Sequence, residues 1–517
     1  MIMGSSRIQN TFYNIISGFA SRMLGIVTVF VVRTVFIKCL SSEYLGVNGL
    51  YSSILTMLSL AELGFGTAMV YSMYSPLAKK DSRKLNQLLD LYRKVYKIIG
   101  IVILIIGLAL IPFLDKLVKE TPDISGLKLY YILFLLNSVV SYWFFAYRNS
   151  LLQADQKAYI LTNYMSLFNI LRTILQIIFL IVFHSYTMFL LIQIFCTIGQ
   201  NICIAIKVRK IYPFVEARSE KSLSKKEKKK IFLDVKALML TKIAHVILNS
   251  TDNIIISAFV GIKWVGLLSN FCLITEAITG ILCQITNSLT ASLGNFFVKE
   301  DREDGYILFK RVDFLNSWLY GFSTIALIVL LNPFVELWIG KEFILSTGTI
   351  IALAINFYVA GFMNTLWTFR STLGLFTQGQ YRPIIVAVLN IIISIFLSYK
   401  WGITGVLAGT AISRACVNLW YDPWLIHRKG FEKPVRIFFV RYIFKIALNI
   451  IITAGLMNVS LIMFSNGVTI FNFVIMTIIV AVVPNLIFLI VFLKTEEFEY
   501  FFNMFKKIIV QIKNHRN

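Results

Sequence analysis

An all-α integral membrane protein of about fourteen transmembrane helices is predicted by three features of this sequence. The first is apolarity. Of the 517 residues, 57% are hydrophobic and 15% charged, with a mean hydropathy of +0.76, well beyond what a soluble core requires. The second is spacing, because apolar runs able to cross roughly 30 Å of hydrocarbon recur along the whole chain. The third is charge placement. The net charge of +24 gathers in alternate short segments, which is the pattern of a positive-inside multi-pass protein facing anionic lipid and excludes a nucleic-acid binder.

Spans are predicted near 10–37, 43–71, 92–114, 127–151, 159–183, 187–208, 237–260, 265–291, 313–339, 345–375, 384–399, 402–425, 437–464 and 468–493. With a cytoplasmic N-terminus, the inner segments hold Lys79, Lys80, Arg83, Lys84, the SKKEKKK run, 299–311, 428–445 and the tail. The outer loops hold little beyond Lys38, Lys116, Lys119, Lys128, Lys263, Lys341 and Lys400. An even number of spans places both termini in the cytoplasm. The first apolar segment is too long for a cleaved signal peptide. The six cysteines form no CxxC pair, and no HExxH occurs, so neither a disulfide framework nor a metal site is expected. No GxxxxGK[ST] or GxSxG is present and no loop is long enough for a catalytic domain, so an enzyme and a bound cofactor are not expected.

The stretch 10–38 is apolar apart from Arg22 and Arg33. A guanidinium at mid-membrane costs at least about 2.5–3.5 kcal/mol, so each should face protein or a water-filled cavity. At about 100° per residue the two return to nearly one face, roughly 16 Å apart along the axis, with Gly18 and Gly25 on the same stripe.

Internal repetition follows. Tyr44-Leu45-Gly46 matches Trp264-Val265-Gly266 at an offset of 220. Lys80-Asp81-Ser82-Arg83 matches Lys299-Glu300-Asp301-Arg302 at 219, Arg93-Lys94-Val95 matches Lys310-Arg311-Val312 at 217, and Phe168-Asn169-Ile170 matches Leu389-Asn390-Ile391 at 221. A duplicated six-span unit accounts for these, with an axis along the membrane normal. The expected organisation is an N-lobe of six spans (1–210), a basic cytoplasmic linker (211–236), a C-lobe of six spans (237–427), two trailing spans (428–493) and an amphipathic cytoplasmic tail (494–517). The same offset carries Ser21-Arg22 onto Thr241-Lys242, so each lobe offers a cation from its first helix.

Lys242, His245, Asn249 and Asp252 share one helical face. Glu62 in span 2, Glu276 in span 8, Arg172 in span 5 and Arg414 in span 12 are the other intramembrane ionisable groups singled out. Such groups are functional hypotheses by default. Against that stands the plain structural role: Glu62 neutralises Arg22, and the small and hydroxyl residues beside these charges form ordinary helix-packing surfaces.

The motifs SSEYLGVNGLYSSI, AELGFGTA, LLQADQKAY, STDNIIISAFVG and ASLGNFF resemble the Wzx-type oligosaccharide flippases of the multidrug/oligosaccharidyl-lipid/polysaccharide (MOP) exporter superfamily, over the whole length. Ser-Arg-Met-Leu-Gly at 21–25 also resembles the first-helix motif of lipid II flippases. The resemblance implies two six-helix lobes plus two trailing helices in the bacterial cytoplasmic membrane. It implies alternating-access export of an undecaprenyl-pyrophosphate-linked oligosaccharide for cell-surface polysaccharide, with a polysaccharide polymerase and glycosyltransferases as partners. On that reading Arg22 and Lys242 grip the pyrophosphate with Arg33, Arg172 and Arg414 in support. Asp252, Glu276, Glu62 and His245 serve as counter-charges or as sites coupling transport to Na+, H+ or membrane potential. Two rivals remain at this point: a multidrug exporter of the same superfamily, and a membrane polymerase or glycosyltransferase.

Overall fold

A computed structural model describes residues 2–62, 64–119, 124–216, 222–296, 302–375, 378–379 and 381–514. All regular structure among the described residues is helical, and the chain packs as two units, 1–266 and 267–517. The first contains α1 (Ile2–Cys39), α2 (Ser42–Leu58), α3 (Phe65–Ala78), α4 (Ser82–Leu110), α5 (Leu127–Trp143), α6 (Asn149–Ala154), α7 (Ala158–Phe183), α8 (Tyr186–Ile211), α9 (Lys225–Ile255) and the first turn of α10 (Ile262–Phe296). The second contains the rest of α10 with α11 (Arg302–Ile339), α12 (Thr347–Thr372), α13 (Arg382–Leu425), α14 (Val435–Met463), α15 (Ile470–Phe492) and α16 (Glu496–Asn514).

Short polar residues set the helix starts by accepting orphan backbone N–H groups. Asp81 accepts from Lys84 N at 2.9 Å, Ser346 from Thr349 N at 3.3 Å, and Ser224 with Glu227 closes a capping box at the start of α9.

Ten helices among the described residues are long and apolar enough to span a bilayer, or eleven when the pair 127–143 and 146–154, bent by 45°, counts as one. Three features separate this number from the expected fourteen. Span 2 is interrupted by a 3-10 turn at Ser59–Glu62 and by Gly64, whose φ of +94° favours glycine. The expected spans 11 and 12 enter this count as one, but they are two helices that meet at Gly402 (φ 53°, ψ −132°) and pack on one another, with Asn390 donating to Thr410 at 2.8 Å and Ser394 to the Val406 carbonyl at 3.1 Å. Span 7 is helical throughout, in α9 and the turn 256–260 that follows it, but only its part 246–260 enters the count as an apolar helix, too short to be numbered among the ten.

In the first unit α1 lies along α7, stitched by Ser166 to Ser21 (2.8 Å) and Asn169 to Thr28 (3.0 Å). Hydroxyl and amide pairs of this kind hold helices together where lipid provides no hydrophobic drive. The sequence places the start of the second lobe at 237, yet α9 packs within the first unit, on α2 and α3. Asn253 donates to Ser53 at 2.9 Å, and Phe232 stacks edge-on against Phe65. The start of α10 crosses the start of α2 at two glycines: a Cβ at Gly46 would strike the Ile262 carbonyl, and one at Gly266 would strike the Ser42 carbonyl.

In the second unit α11 packs against α12, α14, α15 and α16. Trp318 on α11 meets Phe488 at 5.4 Å and stacks on Phe498 at 6.2 Å. Lys445, grouped by its sequence position with the inner-loop cations, instead lies inside α14. It pairs with Asp313 at 2.7 Å and donates to Ser317 at 3.0 Å, with both charged side chains largely buried. The amphipathic tail is also docked: Glu497 of α16 pairs with Arg441 at 3.0 Å, and Arg311 lies 3.7 Å over the Tyr500 ring. Where α12 and α13 join, buried Arg382 and Arg370 share the carboxylate of Asp422 at 2.6 and 3.5 Å. Arg370 donates further to the carbonyls of Leu375 and Gln378, so this cluster fastens the connecting turn.

Candidate functional site

Four helices of the first unit enclose a polar cavity of about 270 Å³. Each contributes residues at helical spacing. From α1 come Val29, Val32, Arg33 and Phe36, and from α7 come Asn169, Arg172, Thr173 and Gln176, both sets at i, i+3, i+4 and i+7. α2 adds Leu45 and Asn48, and α8 adds Phe189 and Gln193. Thr28 of α1 completes the wall and is held at 2.9 Å by the Leu24 carbonyl.

The polar groups are positioned by one another. Asn169 donates to Thr28 at 3.0 Å and accepts from the Arg172 guanidinium at 2.6 Å. Gln176 donates to the Phe189 carbonyl at 3.1 Å, tying α7 to α8. Phe36 packs edge-on against Phe189 at 5.3 Å and forms the apolar end. Two guanidinium groups and four carboxamides therefore line one small space, and no carboxylate is among its described lining residues. In a medium of low dielectric such a space favours an anion and polar hydroxyls over a cation.

The predicted site residues do not converge on one place. Arg33 and Arg172 share this cavity, whereas Arg22 sits about three turns earlier on α1 and is exposed. Lys242 and His245 belong to α9, but their side chains lie outside the described residues. Asp252 is half-buried on α9 beside Asn253. Glu62 stands at the break in span 2, where its carboxylate accepts from Tyr96 at 2.5 Å; Tyr96 in turn accepts from Tyr92 at 2.6 Å. In the second unit Glu276 is exposed on α10 and Arg414 half-buried on α13. Sequence reasoning missed Gln176 and Gln193. The signal for Gln176 was its position four residues after Arg172, on the same face.

The second unit holds a larger cavity, about 630 Å³, among α11, α12, α13 and α14. Its walls are mostly aliphatic, including Ile328, Ile355, Ile412, Ile450 and Met457, and its polar groups include Asn449, Tyr358 and Tyr442.

Comparison with known proteins places this architecture. The family model described as polysaccharide biosynthesis protein matches residues 8–290, more than half of the chain. The chain belongs to the polysaccharide biosynthesis protein family. Solved transporter structures share the fold of this chain. A structure of the lipid II flippase MurJ in an inward closed conformation matches with a TM-score of 0.67 at 17% identity, covering 93% of this chain and 99% of that one. An inward-facing multidrug resistance MATE family transporter of the MOP superfamily matches at 0.60 and 13% identity, covering 78% and 94%. A MOP superfamily transporter from Pyrococcus furiosus, whose description records a binding pocket of reversed polarity, matches at 0.53 and 14%, covering 83% and 97%. A search of curated proteins found no match. This polysaccharide biosynthesis protein is thus a multi-pass membrane protein with a transporter fold.

Proposed function

We propose that the protein is a flippase that exports an undecaprenyl-pyrophosphate-linked oligosaccharide across the bacterial cytoplasmic membrane by alternating access, for cell-surface polysaccharide assembly. The observation that carries this reading is the first-unit cavity, with two arginines, four carboxamides and no carboxylate among its described lining residues. Such a lining suits an anionic glycan and opposes the cationic compounds a multidrug exporter would handle. The aliphatic cavity of the second unit, walled partly by α14, suits a stretch of polyprenyl chain. Family membership supports polysaccharide assembly as the setting, with glycosyltransferases supplying the substrate and a polymerase consuming it.

The finer architecture goes with this reading. Fourteen spans form two six-span lobes and a trailing pair, with both termini cytoplasmic. The reciprocal approach of Gly46 to Ile262 and Gly266 to Ser42, in which Gly46 and Gly266 are 220 residues apart and so are Ser42 and Ile262, supports the duplication. Arg22 and Lys242 take the pyrophosphate, while Asp252, Glu276, Glu62 and His245 provide counter-charge or coupling to a Na+ or H+ gradient.

Reconstitution tests the proposal. Purified protein in vesicles carrying a fluorescent lipid-linked oligosaccharide on one leaflet should move it to the other. Arg22→Ala or Lys242→Ala should slow that movement severely, since losing one partner of a desolvated charge pair costs roughly 2–5 kcal/mol. Vesicles in which the lipid stays on its original leaflet with wild-type protein, across imposed Na+, H+ and voltage gradients, would overturn the reading.

A further inference from the structure

A carboxylate inside a membrane sits opposite a cation or marks a site of function. Asp313 and Asp422 are of the first kind, paired with Lys445 at 2.7 Å and Arg382 at 2.6 Å. Glu62 is different. Among the described residues its partners are hydroxyls: Tyr96 donates to it at 2.5 Å, Tyr92 donates to Tyr96 at 2.6 Å, and the Tyr142 hydroxyl faces both Glu62 and Ser59. All three tyrosines are buried, and Tyr96 packs edge-on against Tyr142 at 5.5 Å. The elements packed on the turn Ser59–Glu62 include α2, α4 and α9. From α4, Arg93 is half-buried and Lys97 exposed, and neither pairs with Glu62. From α9, Lys236 is exposed, and the side chains of Asp234, Lys242 and His245 lie outside the described residues.

Hydroxyls are the partners that a proton-exchanging carboxyl needs. A lysine or arginine beside Glu62 would hold it ionised, and bare hydrocarbon would hold it neutral. A tyrosine O–H both donates and accepts, so it serves either form. With Glu62 ionised, the hydrogen bonds run from Tyr92 to Tyr96 to Glu62. With a proton on Glu62, the carboxyl O–H donates to Tyr96 and the hydroxyls turn round. A metal ion fits this place poorly, because it needs oxygen lone pairs where the tyrosines present O–H protons.

The carboxyl also has a path to water. Asn48, Ser52, Thr56, Ser59 and Glu62 follow one side of span 2, over roughly 20 Å at about 1.5 Å per residue. Ser52 and Thr56 are exposed, whereas Leu50, Ser53, Ile54 and Leu55 on the other side are buried. Ser59 donates to the Thr56 carbonyl and Thr56 to the Ser52 carbonyl, both at 2.7 Å, which leaves hydroxyl lone pairs for water. The stripe ends at Asn48, in the wall of the cavity that holds Arg33 and Arg172.

We propose that Glu62 takes up and releases one proton in each transport cycle, with Tyr92 and Tyr96 as its hydrogen-bond relay and the stripe on span 2 as its path to water. Only O–H bonds change: hydrated acid in the stripe gives its proton to the carboxylate, and water later takes it back. An anionic substrate entering the stripe makes the neutral carboxyl the cheaper form, because two negative charges at low dielectric repel. The proton therefore travels with the substrate. The inference rests on the flippase reading for its transport consequence and, of the coupling roles open there, commits Glu62 to the proton. Titration of Glu62 stands by itself.

Infrared difference spectroscopy of the full-length protein in nanodiscs reads the proton directly. Acidification should raise a carboxylic acid C=O band that Glu62→Gln lacks, and Tyr96→Phe should keep the band at a shifted frequency, since the O–H partner is gone. Should Glu62→Gln fail to fold, Glu62→Asp serves, its carboxyl at shorter reach giving a displaced band. A band that is the same in wild type and variants would overturn the proposal. A synthetic undecaprenyl-pyrophosphate disaccharide added to lightly buffered wild type should draw about one proton per protein from solution, and Glu62→Gln should draw about one fewer. Equal uptake by both would overturn the link to substrate. In vesicles, acid on the loading side should speed the wild type by up to about tenfold per pH unit, the limit for a one-proton step, and should leave the Glu62→Gln rate unchanged. Transport that responds equally to pH in both proteins, or to Na+ in place of acid, would overturn the proton role while leaving the flippase reading intact. If the lipid does not cross with wild-type protein, the flippase reading fails, and the infrared band alone decides whether Glu62 exchanges a proton.

Discussion

Gly46 and Gly266 make the same contact from opposite sides: each lies where the other helix begins, with no room for a side chain against the carbonyl of Ile262 or Ser42. The neighbour in both cases is backbone, so no rotamer change relieves the clash. Gly46→Ala and Gly266→Ala should each destabilise the purified protein by about 1–3 kcal/mol, the usual range for overpacking. Because one crossing is opened in both, the double variant should cost less than the sum. Melting in detergent measures it. Strict additivity would mean that the two glycines serve separate contacts.

The carboxylate of Glu62 is held by the Tyr96 hydroxyl. Tyr96→Phe should remove a hydrogen bond to a charged group, a loss of about 1.5–3 kcal/mol. With the Glu62 carboxylate held by Tyr96, Arg22→Ala should lower the melting point less than Tyr96→Phe does. The opposite ranking in thermal unfolding would return Glu62 to the role of counter-ion for Arg22.

The linker end of α9 should respond to acid. Hydrogen bonds from Lys84 and from the Ser224 cap lower the Glu227 carboxyl from 4.5 to about 2. A depressed folded-state value means that its contribution is complete above about 4.5 and fades as pH falls toward about 2. The melting-temperature gap between wild type and Glu227→Gln should therefore be constant at neutral pH and close on acidification. A gap that widened in acid would contradict the pairing.

Asp422 neutralises two buried arginines. Asp422→Asn strands both guanidinium groups, and breaking a buried pair in this way costs about 3–5 kcal/mol. The yield of folded protein and its melting point should fall together. Adding Arg370→Gln should recover part of the loss, because it removes one of the stranded charges. No recovery would show that the carbonyls of the connecting turn, rather than the carboxylate, hold the cluster.

Much of this fold was legible in apolar runs, because crossing a bilayer demands length and apolarity that are hard to hide. The break in span 2 was not. Gly64 has a backbone angle that a hydropathy window averages away, so span 2 read as continuous, whereas the separation of spans 11 and 12, which falls at Gly402, was legible. Intramembrane charge marked Arg33 and Arg172, since arginine in an apolar stretch stands out. Gln176 and Gln193 did not stand out, because a neutral amide in a membrane helix reads as packing until its neighbours are known. Lys445 misled for the reverse reason. It was counted with the inner basic segment 428–445 although the predicted span 437–464 contains it, and only the three-dimensional neighbour Asp313 explains why a lysine is tolerated inside α14.

The glycine crossing also bears on ancestry. Residue i meeting j while j meets i is how an isologous dimer interface is written, and 42, 46, 262 and 266 obey that rule at an offset of 220. On the proposed duplication, a half-length ancestor paired with its own copy would have built both contacts from a single glycine codon. Any substitution there would have struck both sides of the partnership at once. Fusion of the two copies released that constraint: each glycine now answers to its own codon, and the two halves became free to acquire different chemistry, such as a cavity lined by arginines and carboxamides in one and an aliphatic cavity in the other.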